Sequence, residues 1–274
     1  MSYLQTNQET KALTISTLFK MHAEGEKITS LTAYDASFGT LFDQIGIDVI
    51  LVGDSLGNVI QGHASTLPVR IEDMIYHTAC VSRNIKRTFL IADMPFASYG
   101  DKQNALRNAA LLMQAGAKMI KLEGGTWLAP TIEHLVTQGI PVCAHLGLTP
   151  QSVNTLGGFK VQGKSAPQAQ QMIEDAKNLQ AAGAQMLVLE AVPSSLGKKI
   201  TESIQIPTIG IGAGPDCSGQ VLVMHDALGA FPGRQPKFVK NFLAQSGSIE
   251  KAVELYISEV KSGAFPAPEH CFSD

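Results

Sequence analysis

The chain carries eight apolar, β-rich runs, and most are separated by a stretch with helical spacing. The runs are KITSLTAYD (27–35), DVILVGDS (48–55), TFLIADMPF (88–96), AKMIKLEGG (117–125), IPVCAHLG (140–147), QMLVLEAVP (185–193), IPTIGIGAG (206–214) and GQVLVMHDALG (219–229). Between them, residues 36–46 put Phe38, Leu41, Phe42 and Ile45 on one face before Gly46, and residues 69–87 do the same with Ile71, Met74, Ile75, Thr78 and Val81. Alternating β and α units with short turns call for a parallel sheet covered by helices. Eight units favour closure, an α/β fold of the (β/α)8 TIM-barrel type, over an open doubly wound sheet. The 274 residues are close to the roughly 250 of one such barrel, which predicts a single domain over 1–274.

Further helical patterns predict an N-terminal helix at 12–23 and a C-terminal helical extension within 231–274. The link between the seventh and eighth runs is too short for a full helix. The segments 56–67 and 147–164 follow strand ends, so both are expected to cover the face where those strands finish.

Four runs reach a carboxylate at their tip: Asp54, Asp93, Glu123 and Glu190. A buried carboxylate is costly unless paired or metal-bound. In a parallel barrel these tips share one face, where active sites are built. Asp54 and Asp93 end consecutive runs, and two close carboxylates repel unless a proton or cation lies between them. Hard oxygen ligands with open positions suit Mg²⁺. Glu123, on the next run, is placed to join as a ligand or to hold a metal water. A lone acid would read more simply as a helix cap or salt-bridge partner; three on successive tips favour a metal.

Lys121 lies two residues before Glu123 and so projects to the same side of its strand. It is positioned to bind a substrate carboxylate, and a salt bridge to Glu123 or Asp93 fits equally well. Ser55 could donate to a bound anion or simply serve the turn. His145 reads as a proton donor, a neighbour of the metal site, or a hydrogen-bonded strand residue. Glu190 stands apart from the acid pair and is the candidate general base. The expected substrate-binding set is Asp54, Ser55, Asp93, Lys121 and His145. His225 and Asp226 end the eighth run and read as structural. GIGAG at 210–214 lacks the spacing of a dinucleotide-binding loop.

A net charge of −3 gives no electrostatic case for a nucleic acid or anionic membrane partner. The four scattered cysteines lack metal-finger spacing, which fits reduced thiols and a cytoplasmic setting. No run approaches the roughly 20 apolar residues of a membrane span.

Taken together, LTAYDASF, DVILVGDSLGNVIQGHASTLPV, ADMPFASYG, KLEGG, AHLGLTPQSVNTLGGFKVQGK, LVLEAVP, TIGIGAG and GQVLVMHDALG resemble the ketopantoate hydroxymethyltransferase family. The resemblance runs from about residue 28 to residue 240, with a local departure at Ala64, where many members carry an acid. It implies a Mg²⁺-dependent barrel that transfers a hydroxymethyl group from 5,10-methylenetetrahydrofolate to 3-methyl-2-oxobutanoate through a Mg²⁺-stabilised enolate, giving 2-dehydropantoate for pantothenate and coenzyme A synthesis. It implies Asp54 and Asp93 as direct metal ligands and Glu123 as a further metal-site acid. It further implies Ser55 and Lys121 as contacts to the keto acid, Glu190 as the base, and a homo-oligomer, commonly a decamer. The competing expectations are a metal-dependent lyase or mutase of the phosphoenolpyruvate type and a non-catalytic barrel scaffold. The first usually needs a cysteine or similar acid near its loop, and 147–164 has no cysteine. The second leaves the clustered acids unexplained.

Overall fold

A computed structural model describes residues 11–233 and 235–273. The expected domain span of 1–274 includes residues 1–10, 234 and 274, which lie outside the described ones. Eight strands close into a parallel barrel in sequence order. They are β1 (Ile28–Thr32), β2 (Val49–Val52), β3 (Phe89–Asp93), β4 (Met119–Glu123), β5 (Val142–Gly147), β6 (Met186–Glu190), β7 (Thr208–Ile211) and β8 (Gly219–Leu222). β8 closes on β1 through the pairs Ile28↔Gly219 and Leu31↔Leu222. The closed (β/α)8 architecture matches the reading of the eight runs.

The helices form where periodicity and capping agree. Asp35 accepts from the backbone of Ser37 and Phe38 at 2.8 and 3.0 Å and starts helix Ala36–Ile45, which Gly46 ends at φ 108°. Asp101 starts Lys102–Gln114 in the same way. The N-terminal helix is Ile15–Ala23. The two C-terminal patterns become one turn, Leu243–Ser246, and a full helix, Ile249–Ser262. That last helix packs outside the barrel against β1 and helix Ala36–Ile45. Its Tyr256 hydroxyl lies 2.8 Å from the carbonyl oxygens of both Ser30 and Gln220, which share its one proton, and so pins the β8–β1 seam. Phe242 and Phe265 pack edge-on against Tyr256, with ring centroids 5.3 and 6.0 Å away.

The second run holds an aspartate at each end, and the barrel gives them opposite faces. Asp48 precedes β2, on the face where the strands begin. It is buried and accepts from Thr29 N and Oγ1 at 3.1 and 2.9 Å. It also pairs with Arg87 and Lys261, both at 2.8 Å. Burial opposes its charge, but Lys261 and the hydrogen bonds outweigh it and hold Asp48 below the usual carboxylate value. Charge pairing at this end serves stability.

Asp48→Asn leaves two cations without their shared anion and is expected to cost about 3 kcal/mol in urea unfolding at pH 7. The folded pKa is depressed, so the contribution is present above the unfolded value of about 3.9 and is lost as pH falls through the folded one. The wild-type and D48N stability curves should therefore converge below about pH 4; parallel curves would contradict the assignment.

Candidate active site

Strand register assembles the acids. Asp93, the last residue of β3, pairs with Lys121 on β4, and Glu123, the last residue of β4, pairs with His145 on β5. Glu190, the last residue of β6, pairs with Gly147. Asp54 lies two residues beyond β2, in the turn that leads to the one-turn helix Leu56–Val59. All of these except Gly147 line one cavity of about 820 Å³ at the face where the strands end. The two long segments cover it: Asn58 and Thr66 come from 56–67, and Pro150 and Phe159 from 147–164.

Charge holds this mouth together. Lys121, 4% exposed, places Nζ 2.9 Å from Asp93 Oδ1 and 3.4 Å from Glu123 Oε1. Burial works against its charge, but Asp93, Glu123 and Asp54 outweigh it and raise Lys121 well above the usual lysine value. Burial would also raise Glu123, yet Lys121 and His145 hold it down at about 2. His145 Nδ1 lies 3.3 Å from Glu123 Oε1, and its Nε2 lies 3.3 Å from Glu190 Oε2. Burial and Lys121 oppose an imidazolium, but Glu123 and the contacts with both carboxylates lift His145 to about 9. With the ring charged, the 3.3 Å approach of Lys121 to Nδ1 is a like-charge contact, tolerated because both cations share Glu123.

The remaining acids are poised differently. Burial, reinforced by Glu123 and Asp93, pushes Asp54 well above the carboxylate range. Burial also raises Asp93, against the pull of Lys121. The Asp54 amide donates to Asp93 Oδ2 at 3.0 Å, which locks the two together. Asp93 Oδ1 is buried without an aligned hydrogen bond. Among the described residues, no group of three or more His, Cys, Asp or Glu is arranged to hold a metal. Glu123 explains part of this: Oε1 faces Lys121 and His145, and Oε2 accepts from the Gln151 amide at 3.0 Å. Asp54 and Asp93 are held more lightly: Asp54 Oδ2 accepts from Gln151, Asp93 Oδ2 from the Asp54 amide, and Asp93 Oδ1 meets Lys121 as an ion pair.

Ser55 Oγ shares a 2.8 Å hydrogen bond with the Tyr34 hydroxyl and gives no cap to the following helix. Glu190, its side chain 15% exposed, faces the cavity and touches His145, so it is tied to the acid corner through that ring and is not isolated from it. The residue after it, Ala191, holds φ at 47°, a strained conformation for a side chain other than glycine. Its amide donates to Ile211 O at 2.9 Å, and its carbonyl accepts from Gln162 N at 2.9 Å, which supports the turn that aims Glu190.

Gln151 and Tyr99 were not among the expected residues. Gln151 Nε2 donates to Asp54 Oδ2 and Met94 O, both at 2.9 Å, and its Oε1 accepts from Tyr99 at 2.5 Å. The covering loop is thus hydrogen-bonded to the acids it covers. Asp226, which reads as structural in the sequence, also lies on this cavity. β8 stops at Leu222, and the next helical turn, Met224–Ala227, puts Asp226 on the cavity wall.

The raised His145 value sets a pH signature. It lies above the unfolded 6.5, so its stabilisation is complete below about pH 6.5 and is lost as pH rises through about 9. In chelator-treated protein, ring-nitrogen NMR should show an imidazolium at pH 7.5 that titrates near 9, and Glu123→Gln should lower that midpoint. A neutral ring at pH 7.5 would contradict the electrostatics.

A sequence model of the family "Ketopantoate hydroxymethyltransferase" matches residues 12–268. A protein of Colwellia psychrerythraea named 3-methyl-2-oxobutanoate hydroxymethyltransferase is 64% identical over 260 residues, 95% of this chain and 98% of its own. One of the same name from Janthinobacterium sp. is 59% identical over 271 residues, 99% of each chain. Among solved structures, a phosphonopyruvate hydrolase in complex with oxalate and Mg²⁺ superposes with a TM-score of 0.61 at 15% identity, covering 93% of this chain and 92% of that one. At that identity the likeness concerns the barrel alone. Family match, full-length identity and barrel agree: the chain belongs to the ketopantoate hydroxymethyltransferase family.

Proposed function

We propose that the protein transfers a hydroxymethyl group from 5,10-methylenetetrahydrofolate to 3-methyl-2-oxobutanoate, giving 2-dehydropantoate for pantothenate and coenzyme A synthesis. The observation that carries this reading is the buried line Asp93–Lys121–Glu123–His145–Glu190 along one wall of the cavity. It sets cations between an acid pair at one end and a partly exposed carboxylate at the other. A cavity of about 820 Å³ exceeds the need of a small keto acid and leaves room for a second substrate.

The donor set fits a hard divalent cation. Asp54 and Asp93 would hold Mg²⁺ beside Lys121, which meets Asp93 Oδ1 as an ion pair at 2.9 Å without an aligned hydrogen bond. Glu123, committed to Lys121, His145 and Gln151, would act from behind this pair by holding the cations in place. When bound, the metal would supply Lewis-acid polarisation of the 2-oxo group, which acidifies the proton on carbon 3.

The chain's own groups do the rest. Lys121 and Ser55 receive the keto acid's carboxylate. Glu190 takes the carbon-3 proton, with His145 holding its carboxylate from 3.3 Å away. One water breaks both C–N bonds of the folate's methylene bridge, releasing tetrahydrofolate and supplying the hydroxymethyl oxygen; the carbon-3 nucleophile forms the new C–C bond to the freed aldehyde-level carbon, and the resulting alkoxide takes up the proton that Glu190 removed. The 147–164 loop is tied down through Gln151 at one end and Gln162 at the other, so it covers the cavity in which this exchange takes place. None of the helices among the described residues is long and apolar enough to cross a membrane. Family resemblance supports a cytoplasmic homo-oligomer, commonly a decamer.

With Mg²⁺ and no folate, wild-type protein in D₂O should exchange the carbon-3 proton of 3-methyl-2-oxobutanoate. Glu190→Gln should slow that exchange by about 10²- to 10⁴-fold. Exchange at the wild-type rate would remove Glu190 from the role of base.

A further inference from the structure

One carboxylate of the cavity takes no part in the reaction described above. Asp226 is 9% exposed and lines the cavity, and among the described residues burial is the one influence on its carboxyl. It sits on the helical turn after β8, away from the line of charges on β3 to β6. Burial alone lifts it to about 6. Its oxygens are not among the enclosed polar atoms left without a partner, so they open onto the cavity, where a ligand can bring a donor.

The two substrates differ in what they can bring. The keto acid carries a carboxylate and an oxo group, both acceptors, and would be repelled by Asp226. A reduced folate carries, on one edge of its pteridine, an amide N–H beside an amino group. That edge presents two parallel donors in the fork that a carboxylate accepts bidentately. The neighbouring wall suits a flat heterocycle, with Val223, Phe231 and Phe238 lining the cavity on the same segment. Two exposed lysines, Lys160 and Lys237, also line it and so stand at its opening. A little-exposed acceptor and exposed cations on one cavity give the charge order that a folate needs, its donor edge on the acceptor and its glutamyl carboxylates toward the cations.

We infer that Asp226 is the anchor for the pteridine of the folate co-substrate, receiving its N3–H and 2-amino donors while the glutamyl tail leaves past Lys160 and Lys237. The inference rests on the proposed function and assigns a site for its second substrate. It makes Asp226 a binding residue for one substrate only.

The test is steady-state kinetics and tetrahydrofolate binding in wild type, Asp226→Asn and Asp226→Ala. KM for methylenetetrahydrofolate and Kd for tetrahydrofolate should rise about 10- to 100-fold in D226A and less in D226N, which keeps one acceptor. KM for the keto acid and the folate-free exchange of its carbon-3 proton should stay at wild-type values. Unchanged folate affinity overturns the inference, as does a loss of folate-free exchange that keeps step with folate affinity. Should the variants fail to fold, wild type alone decides: a tetrahydrofolate whose 2-amino group is replaced by methyl should bind at least tenfold more weakly than tetrahydrofolate, and equal affinity overturns the anchor. Wild type that exchanges the carbon-3 proton yet shows no folate-dependent turnover would overturn the proposed function, and the inference with it, before any variant is made.

Discussion

The site depends on one buried ammonium. Lys121 stands between Asp93 and Glu123 at 2.9 and 3.4 Å, and without it three carboxylates would share a dry strand end. At close range and low dielectric, like charges are prohibitive unless cations are interleaved. Lys121 and the imidazolium of His145 supply two such charges, and Glu123 binds both. That leaves Asp54 and Asp93 with an unmet demand for positive charge, seen in the raised Asp54 carboxyl. The same arrangement that makes the barrel tolerate its acids makes it ready for a divalent cation.

The cover of the cavity is part of the same bonding. Gln151 reaches from the loop after β5 to Asp54, to Glu123 through its amide, and to Tyr99. Farther along, Gln162 holds the carbonyl of strained Ala191, next to Glu190. Movement of the loop would therefore disturb the acid pair and the base together, so that closure and readiness for chemistry are coupled.

The fold was legible because its signal is periodic: each run is a short apolar strand, and the helices between them carry their own caps. The acids were legible because a carboxylate at the tip of an apolar strand has no role in packing. Lys121 could be placed beside Glu123 from strand alternation alone. Contacts across long loops were not legible: Gln151 meets Asp54 over 97 residues and Tyr99 over 52, with no periodicity to mark either. Glu190 looked separate from the acid corner because the sequence does not reveal that His145 spans the gap. The place of Asp226 on the cavity wall was not legible because β8 ends sooner than its apolar run suggests and a turn of helix follows.

The central claim is a division of labour, with Asp54 and Asp93 as the metal pair and Glu190 outside it. Titration of Mn²⁺, a paramagnetic stand-in for Mg²⁺, followed by electron paramagnetic resonance, tests it most directly. Glu190→Gln should bind Mn²⁺ as wild type does, whereas Asp54→Asn and Asp93→Asn should each weaken binding by at least about tenfold. Loss of Mn²⁺ affinity in E190Q equal to that in D93N, or wild-type affinity in both aspartate variants, would contradict the account.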